Sequence, residues 1–153
     1  MARDELESLP EVFDVEGVHI AHLSYAYGTN GIPVPSDLII GHHAHVVQPI
    51  EQVNGIWVAD GIGNILSNLP VNDAWPASSQ DAAIVEFEIA VDSVGNVAIG
   101  PPTVVPTWVD KDNGWVIRDV NAELARADLD PGRRSQLQAS FDRTAGVLGD
   151  YLS

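Results

Sequence analysis

Three observations predict an α/β (α+β) fold: two hairpin signals in the first 60 residues, an alternating apolar and polar run from 82 to 92, and a helical stripe confined to the C-terminal third. Residues 12–15 and 18–25 are β-prone and flank Glu16-Gly17, a two-residue turn. Residues 28–35, rich in glycine and proline, read as a loop. Asp37-Leu38-Ile39-Ile40 is a short apolar run of the kind that forms a fully buried strand, and it ends at Gly41. Residues 46–51 and 56–59 flank Asn54-Gly55, the strongest short-range hairpin signal. Gly61-Ile62-Gly63-Asn64 is a glycine-rich turn, and residues 68–80 form a loop. The strand over 82–92 turns at Ser93-Val94-Gly95-Asn96 and returns over 97–109, with breaks at Pro101-Pro102 and Pro106. Asn121 is placed to cap a short helix through Arg126. Asp130-Pro131 starts a second helix, whose residues Leu137, Phe141, Ala145 and Leu148 make one stripe for docking on the sheet.

The length, 153 residues, suits a single domain spanning 1–153, and 45% hydrophobic with 19% charged side chains is an ordinary globular balance. There is no cysteine, which excludes disulfides, thiolate metal ligands and cysteine nucleophiles. Seven basic against 22 acidic side chains give a net charge of −15. Such a surface repels phosphate backbones and anionic lipid, so nucleic acid is not an expected partner. The same acidity is what a chain adapted to high salt would carry, so it selects no substrate. No run reaches the roughly 18 apolar residues of a membrane span. The charged start, Met1-Ala2-Arg3-Asp4-Glu5-Leu6-Glu7, is not expected to act as a secretory signal.

His42, His43 and His45 fall within four residues, directly after the apolar strand and Gly41. The carboxyl ends of strands are where ligands bind in open α/β sheets. On extended chain His43 and His45 would share a side and His42 would point away. Neutral imidazole is the commonest metal ligand, so the pair suits one ion, or one ligand on each of two ions. The alternative is a set of exposed or core-satisfied histidines. Asp37, Asp60 and Asp81 are further ligands by residue type only; Asp37 is better placed to end a strand, and Asp81 to start one.

The segment Ser36-Asp37-Leu38-Ile39-Ile40-Gly41-His42-His43-Ala44-His45-Val46-Val47-Gln48-Pro49-Ile50-Glu51 resembles the signature of the CapA, or poly-gamma-glutamate capsule biosynthesis, family. Val53-Asn54-Gly55 and residues 61–68 resemble that family's hairpin and its Leu-Gly-Asn-Phe-like turn, and residues 16–31 resemble an earlier strand and loop. The resemblance covers about residues 12–109. It implies a calcineurin-like metallophosphoesterase relationship: a β-sandwich with flanking helices and a two-metal site at the strand ends. By the same resemblance His43 and His45 would be metal ligands, His42 an adjacent catalytic group, and Asn64 a cleft-lining residue. The cofactor would be divalent Mn, Fe or Zn, and the setting the cell envelope. The family's two early Asp positions, its Asn-His segment and its His-Trp-Gly stretch have no counterpart here. The implied protein is therefore a CapA-like part of the fold, inactive alone. Its missing ligands would come from another chain or a homo-oligomer; the alternative is a non-catalytic remnant or binding module.

Other motifs carry less. His19 and His22 lie three apart on a strand and read as ordinary strand residues. Trp57, Trp75, Trp108 and Trp115 are scattered, so packing is expected rather than a carbohydrate platform. Ser67, Ser78 and Ser79 lack a Gly-x-Ser-x-Gly context, and Gly61-Ile62-Gly63-Asn64 lacks the third glycine of a phosphate loop.

Overall fold

The computed structural model describes residues 11–23 and 37–153. The loop expected at 28–35 lies outside the described residues, as does the side chain of His22. The fold is α+β. Among the described residues ten strands precede or flank two helices: β1 (Glu11–Val15), β2 (Val18–Leu23), β3 (Leu38–Gly41), β4 (Ile50–Val53), β5 (Ile56–Ala59), β6 (Asp81–Glu86), β7 (Ile89–Val91), β8 (Val97–Ile99), β9 (Thr103–Asp110), β10 (Val116–Asp119), α1 (Val120–Leu124) and α2 (Pro131–Leu148).

Both expected hairpins form. Glu16 and Gly17 take positive φ of 54° and 88°, and Asn54 and Gly55 take 53° and 84°; two consecutive positive φ values give the tight turn that matches strand twist. Asp14 Oδ1 accepts the Gly17 N–H at 2.9 Å and fixes the first turn. The hairpins contribute two strands each to a five-stranded sheet of order β1-β2-β3-β5-β4. β3 enters between them and runs parallel to both neighbours. Asp37 performs the strand-end role expected of it: its carboxylate accepts the His19 N–H at 3.0 Å, and its own N–H donates to His19 O at 2.9 Å.

The expected long arms over 82–92 and 97–109 divide. β7 and β8 make a separate two-stranded ribbon, while β6 pairs β9 in a three-stranded sheet of order β10-β9-β6. The break falls at Phe87-Glu88 on one arm and Pro101-Pro102 on the other. Pro106, expected to interrupt the return strand, sits inside β9 instead. Ala83 sends its N–H to Ile62 O, away from β9, so Ala83 and Pro106 are a non-hydrogen-bonded pair of that ladder. β10 stops pairing at Thr107. Proline therefore removes no ladder bond at this position. β10 itself, Val116-Ile117-Arg118-Asp119, was not among the expected strands.

The first helix is capped by Asp119, whose Oδ1 accepts the Ala122 N–H at 3.0 Å, and not by Asn121. Asn121 is already inside the helix, and its amide donates to Ser153 O at 2.8 Å. The second helix begins as expected, with Asp130 Oδ1 accepting from Arg133 N and Pro131 at the first turn. Its docked face is Leu137, Ser140, Thr144 and Leu148, with Phe141 half-buried beside Leu137. The main core joins Leu38, Ile50, Trp57 and Ala59 of the first sheet to Ala83 and Val104 of the second and to Leu148. A second cluster gathers Trp108, Val120 and Leu137.

Candidate functional site at the end of the third strand

Gly41 closes β3 because no larger residue fits: a Cβ there would stand 2.4 Å from Asp60 O. The chain then leaves the sheet. His43 and His45 adopt positive φ of 85° and 61°, which β-carbon-bearing residues seldom take. The extended alternation expected for the two histidines is therefore corrected. They meet through a turn, with ring centroids 5.1 Å apart and planes tilted by 48°. His42 stays at the base of the turn and accepts the His43 N–H on Nδ1 at 3.0 Å. His43 is exposed, and His42 and His45 are half-buried.

Asn64 reaches the cluster from the glycine-rich turn. Gly63, with φ of 74°, carries it there, and a Cβ on Gly63 would stand 2.4 Å from Asp81 O. Asn64 Oδ1 lies 3.0 Å from His45 Nδ1. With that oxygen as acceptor, Nδ1 bears the proton and Nε2 keeps its lone pair. This is the arrangement in which an outer hydrogen bond orients a metal-binding imidazole. Beside the turn, His42, Ile62, Asn64, Ile65 and Leu66 border a cleft of about 360 Å³.

Sequence reasoning missed Trp75. It was grouped with packing tryptophans, yet it is 36% exposed and sits edge-to-face on His45, centroids 5.9 Å apart and planes at 88°. The signal was the turn-forming run Asn72-Asp73-Ala74 just before it. Trp57 and Trp108 are buried as expected.

The carboxylates do not join the cluster. Asp81 is 2% exposed and bound to Arg143 and Ser140. Asp60 is raised above the ordinary carboxylate range, first by partial burial and then by Glu51. Among the described residues no three His, Asp or Glu side chains stand close enough to hold a metal ion. Two imidazoles, with Asn64 bonded to one of them, fall short of the three or four protein ligands that a complete divalent-cation site needs. His19 lies at the other end of β3, 3.5 Å from Asp37. A second concavity of about 370 Å³ lies between β10 and α2, where Arg118, Arg126 and Arg133 face Asp110, Glu123 and Asp128. Those charges pair with one another; Arg133 Nη1 stands 2.9 Å from Asp110 Oδ1, an ion pair off the line of a hydrogen bond. Among the described residues no helix is long and apolar enough to cross a membrane.

Residues 31–69 match the family model described as bacterial capsule synthesis protein PGA_cap. The chain is also similar to the PGA biosynthesis protein CapA of Bacillus subtilis (strain 168), with 30% identity over 81 residues. That match covers 51% of this chain and 20% of the relative, so the chain spans about a fifth of the curated protein's length. No solved structure matches. The matched segment contains β3, the three histidines, the second hairpin and Asn64, so the part of the chain that is similar to the CapA-type capsule synthesis family is the part that carries the candidate site.

Proposed function

We propose that the chain is the part of a capsule-biosynthesis protein that carries one wall of a divalent-cation site, in a fold of the metallophosphoesterase type. The observation that supports this most directly is the His43–His45 pair, brought ring to ring by a strained turn, with His45 held from behind by Asn64. Strained backbone of this kind collects at functional positions. His43 and His45 are the ligands in this reading, and His42, bordering the cleft, is the catalytic group nearest a bound substrate. When bound, Mn, Fe or Zn would polarise a phosphoryl oxygen and help activate water. The wall alone does not hydrolyse phosphate esters, because the bridging carboxylate and remaining ligands must be added by another segment or chain.

Self-association follows from the same reading. Among the described residues β1 is the last strand in its sheet order, and Val12, Phe13 and Val15 on it are 41%, 46% and 54% exposed. An apolar edge of this sort invites pairing. Light scattering should show association that rises with concentration; a strict monomer at high concentration would overturn this point.

Isothermal titration with Zn²⁺ and Mn²⁺ tests the site. Wild-type protein should take up one ion weakly, and the His43→Ala/His45→Ala double variant should take up none. Equal uptake by both sinks the ligand assignment, and no uptake by wild type supports the binding-module alternative. With added Mn²⁺, turnover of an aryl phosphate by this chain alone would contradict the need for further ligands.

A further inference from the structure

We infer that Trp75 is a positioning residue that fixes the ring orientation of His45. Trp75 belongs to neither hydrophobic cluster, so core packing does not account for its place. It also lies outside the segment 31–69 that the family model matches. Its loop is built to hold it. Asn72 N–H donates to Trp75 O at 2.9 Å and Trp75 N–H returns a bond to Asn72 O at 3.1 Å. Asn72 Oδ1 also accepts from Ala74 N and Trp75 N at 2.9 and 3.0 Å. Pro76 then fixes the exit of the chain. At the other end of the loop, the Lys111 ammonium donates to Leu69 O.

The physical need for such a contact is clear from His45. One hydrogen bond, to Asn64, holds one edge of its ring. The outer torsion of histidine is broad, and a half-turn exchanges Nδ1 with a carbon, which breaks that bond. The perpendicular indole closes one side of the ring while His43 lies on another. Asn64 selects the proton-bearing nitrogen, and Trp75 keeps the ring from turning away. The value of this arrangement to the protein rests on the cation-site reading above; the arrangement itself is measurable without any metal.

Long-range ¹H–¹⁵N spectra of the metal-free full chain at pH 8 make the test, on wild type, W75A and W75F, alongside zinc titration of each. In wild type His45 should show the proton on Nδ1. W75A should shift the population toward the Nε2–H form and lower zinc affinity about tenfold, the usual minimum for losing an orienting partner. W75F, which keeps an aromatic edge, should restore both to within about threefold. A W75A spectrum with the wild-type tautomer overturns the inference, whatever zinc does. A shifted tautomer with no zinc bound by any form upholds the inference and overturns the cation site instead. Backbone amide spectra that match wild type outside residues 45–76 show that W75A has folded; if they do not, W75L, which keeps apolar bulk without an aromatic edge, decides by the same tautomer criterion.

Discussion

Asp81 and Arg143 tie the first strand of the second sheet to the C-terminal helix, through bonds of 2.6 Å from Nε and 2.8 Å from Nη2. Ser140 Oγ donates a third bond to the same carboxylate at 2.7 Å. Asp81 is 2% exposed, so removing these partners would leave a buried polar group unpaired. Arg143→Met should destabilise the fold by roughly 3 kcal/mol, the low end for a broken buried pair, because Arg143 keeps some contact with water. The double variant Asp81→Asn/Arg143→Met should recover part of that loss. Urea unfolding of both checks it; an additive double variant would mean the two residues do not share one interaction.

His43 pays for its position in backbone strain. His43→Gly should raise stability by roughly 1 kcal/mol, since glycine takes positive φ freely. The same change should abolish cation uptake by the pair. A thermal melt and a zinc titration on one preparation check both halves, and a destabilised variant would show that the turn is not strained.

Asp60 bears on pH dependence. Its folded carboxyl is raised above the ordinary value of 3.8, so the folded protein binds the proton more tightly than the unfolded chain does. The ionised form therefore costs stability, and this cost appears as pH rises through the raised value and persists at neutrality. Asp60→Asn should be more stable than wild type at pH 7, with the gap closing as pH falls below the ordinary carboxylate range. Glu51→Gln should reproduce part of the gain, because Glu51 is the second cause. Melting curves from pH 3 to pH 7 check the sign.

Lys111 pins the loop of Trp75 to the second sheet. Its ammonium donates to Leu69 O and lies 5.6 Å from the centre of the Trp115 ring. Lys111→Met should cost about 1 kcal/mol for the bond and the cation–π contact together. Hydrogen exchange should quicken in residues 69–75 while β9 is unchanged. Uniform acceleration across both would place the effect in global stability instead.

Gly41 has no tolerance for a side chain, because the atom that a Cβ would meet is the backbone oxygen of Asp60. Gly41→Ala should destabilise by roughly 2 kcal/mol, within the usual cost of overpacking. A neutral melt would show that β3 and the Asp60 turn can separate without penalty.

The parts of this fold that were legible are those with local causes. Glu16-Gly17, Asn54-Gly55 and Asp130-Pro131 each carry their turn or cap chemistry in two residues, and each acts as expected. Cap choice between Asp119 and Asn121 depended on where β10 ends, which is settled by pairing with β9, far away in sequence. Pro106 looked like a break because its neighbours in the ladder were not yet known. At the site, His42, His43, His45 and Asn64 could be named from their run and its family resemblance. The turn that joins His43 to His45 was not legible, since two positive φ values on histidine follow from tertiary contact and not from propensity. Trp75 was hidden for the same reason: ten residues and a loop separate it from Asn64 in the chain.

The parallel placement of β3 has a consequence for the order of assembly. The β1–β2 and β4–β5 hairpins close over two-residue turns, an event of about 1–10 microseconds. β3 pairs with neither of its sequence neighbours through a turn; it must find a slot between two ribbons already made. Such non-local pairing is slow because chain entropy is lost before contacts form. The strand that delivers the histidines is thus a late arrival in folding, and the cluster comes into being only when the sheet is complete. A half-formed molecule would hold both hairpins and no histidine cluster.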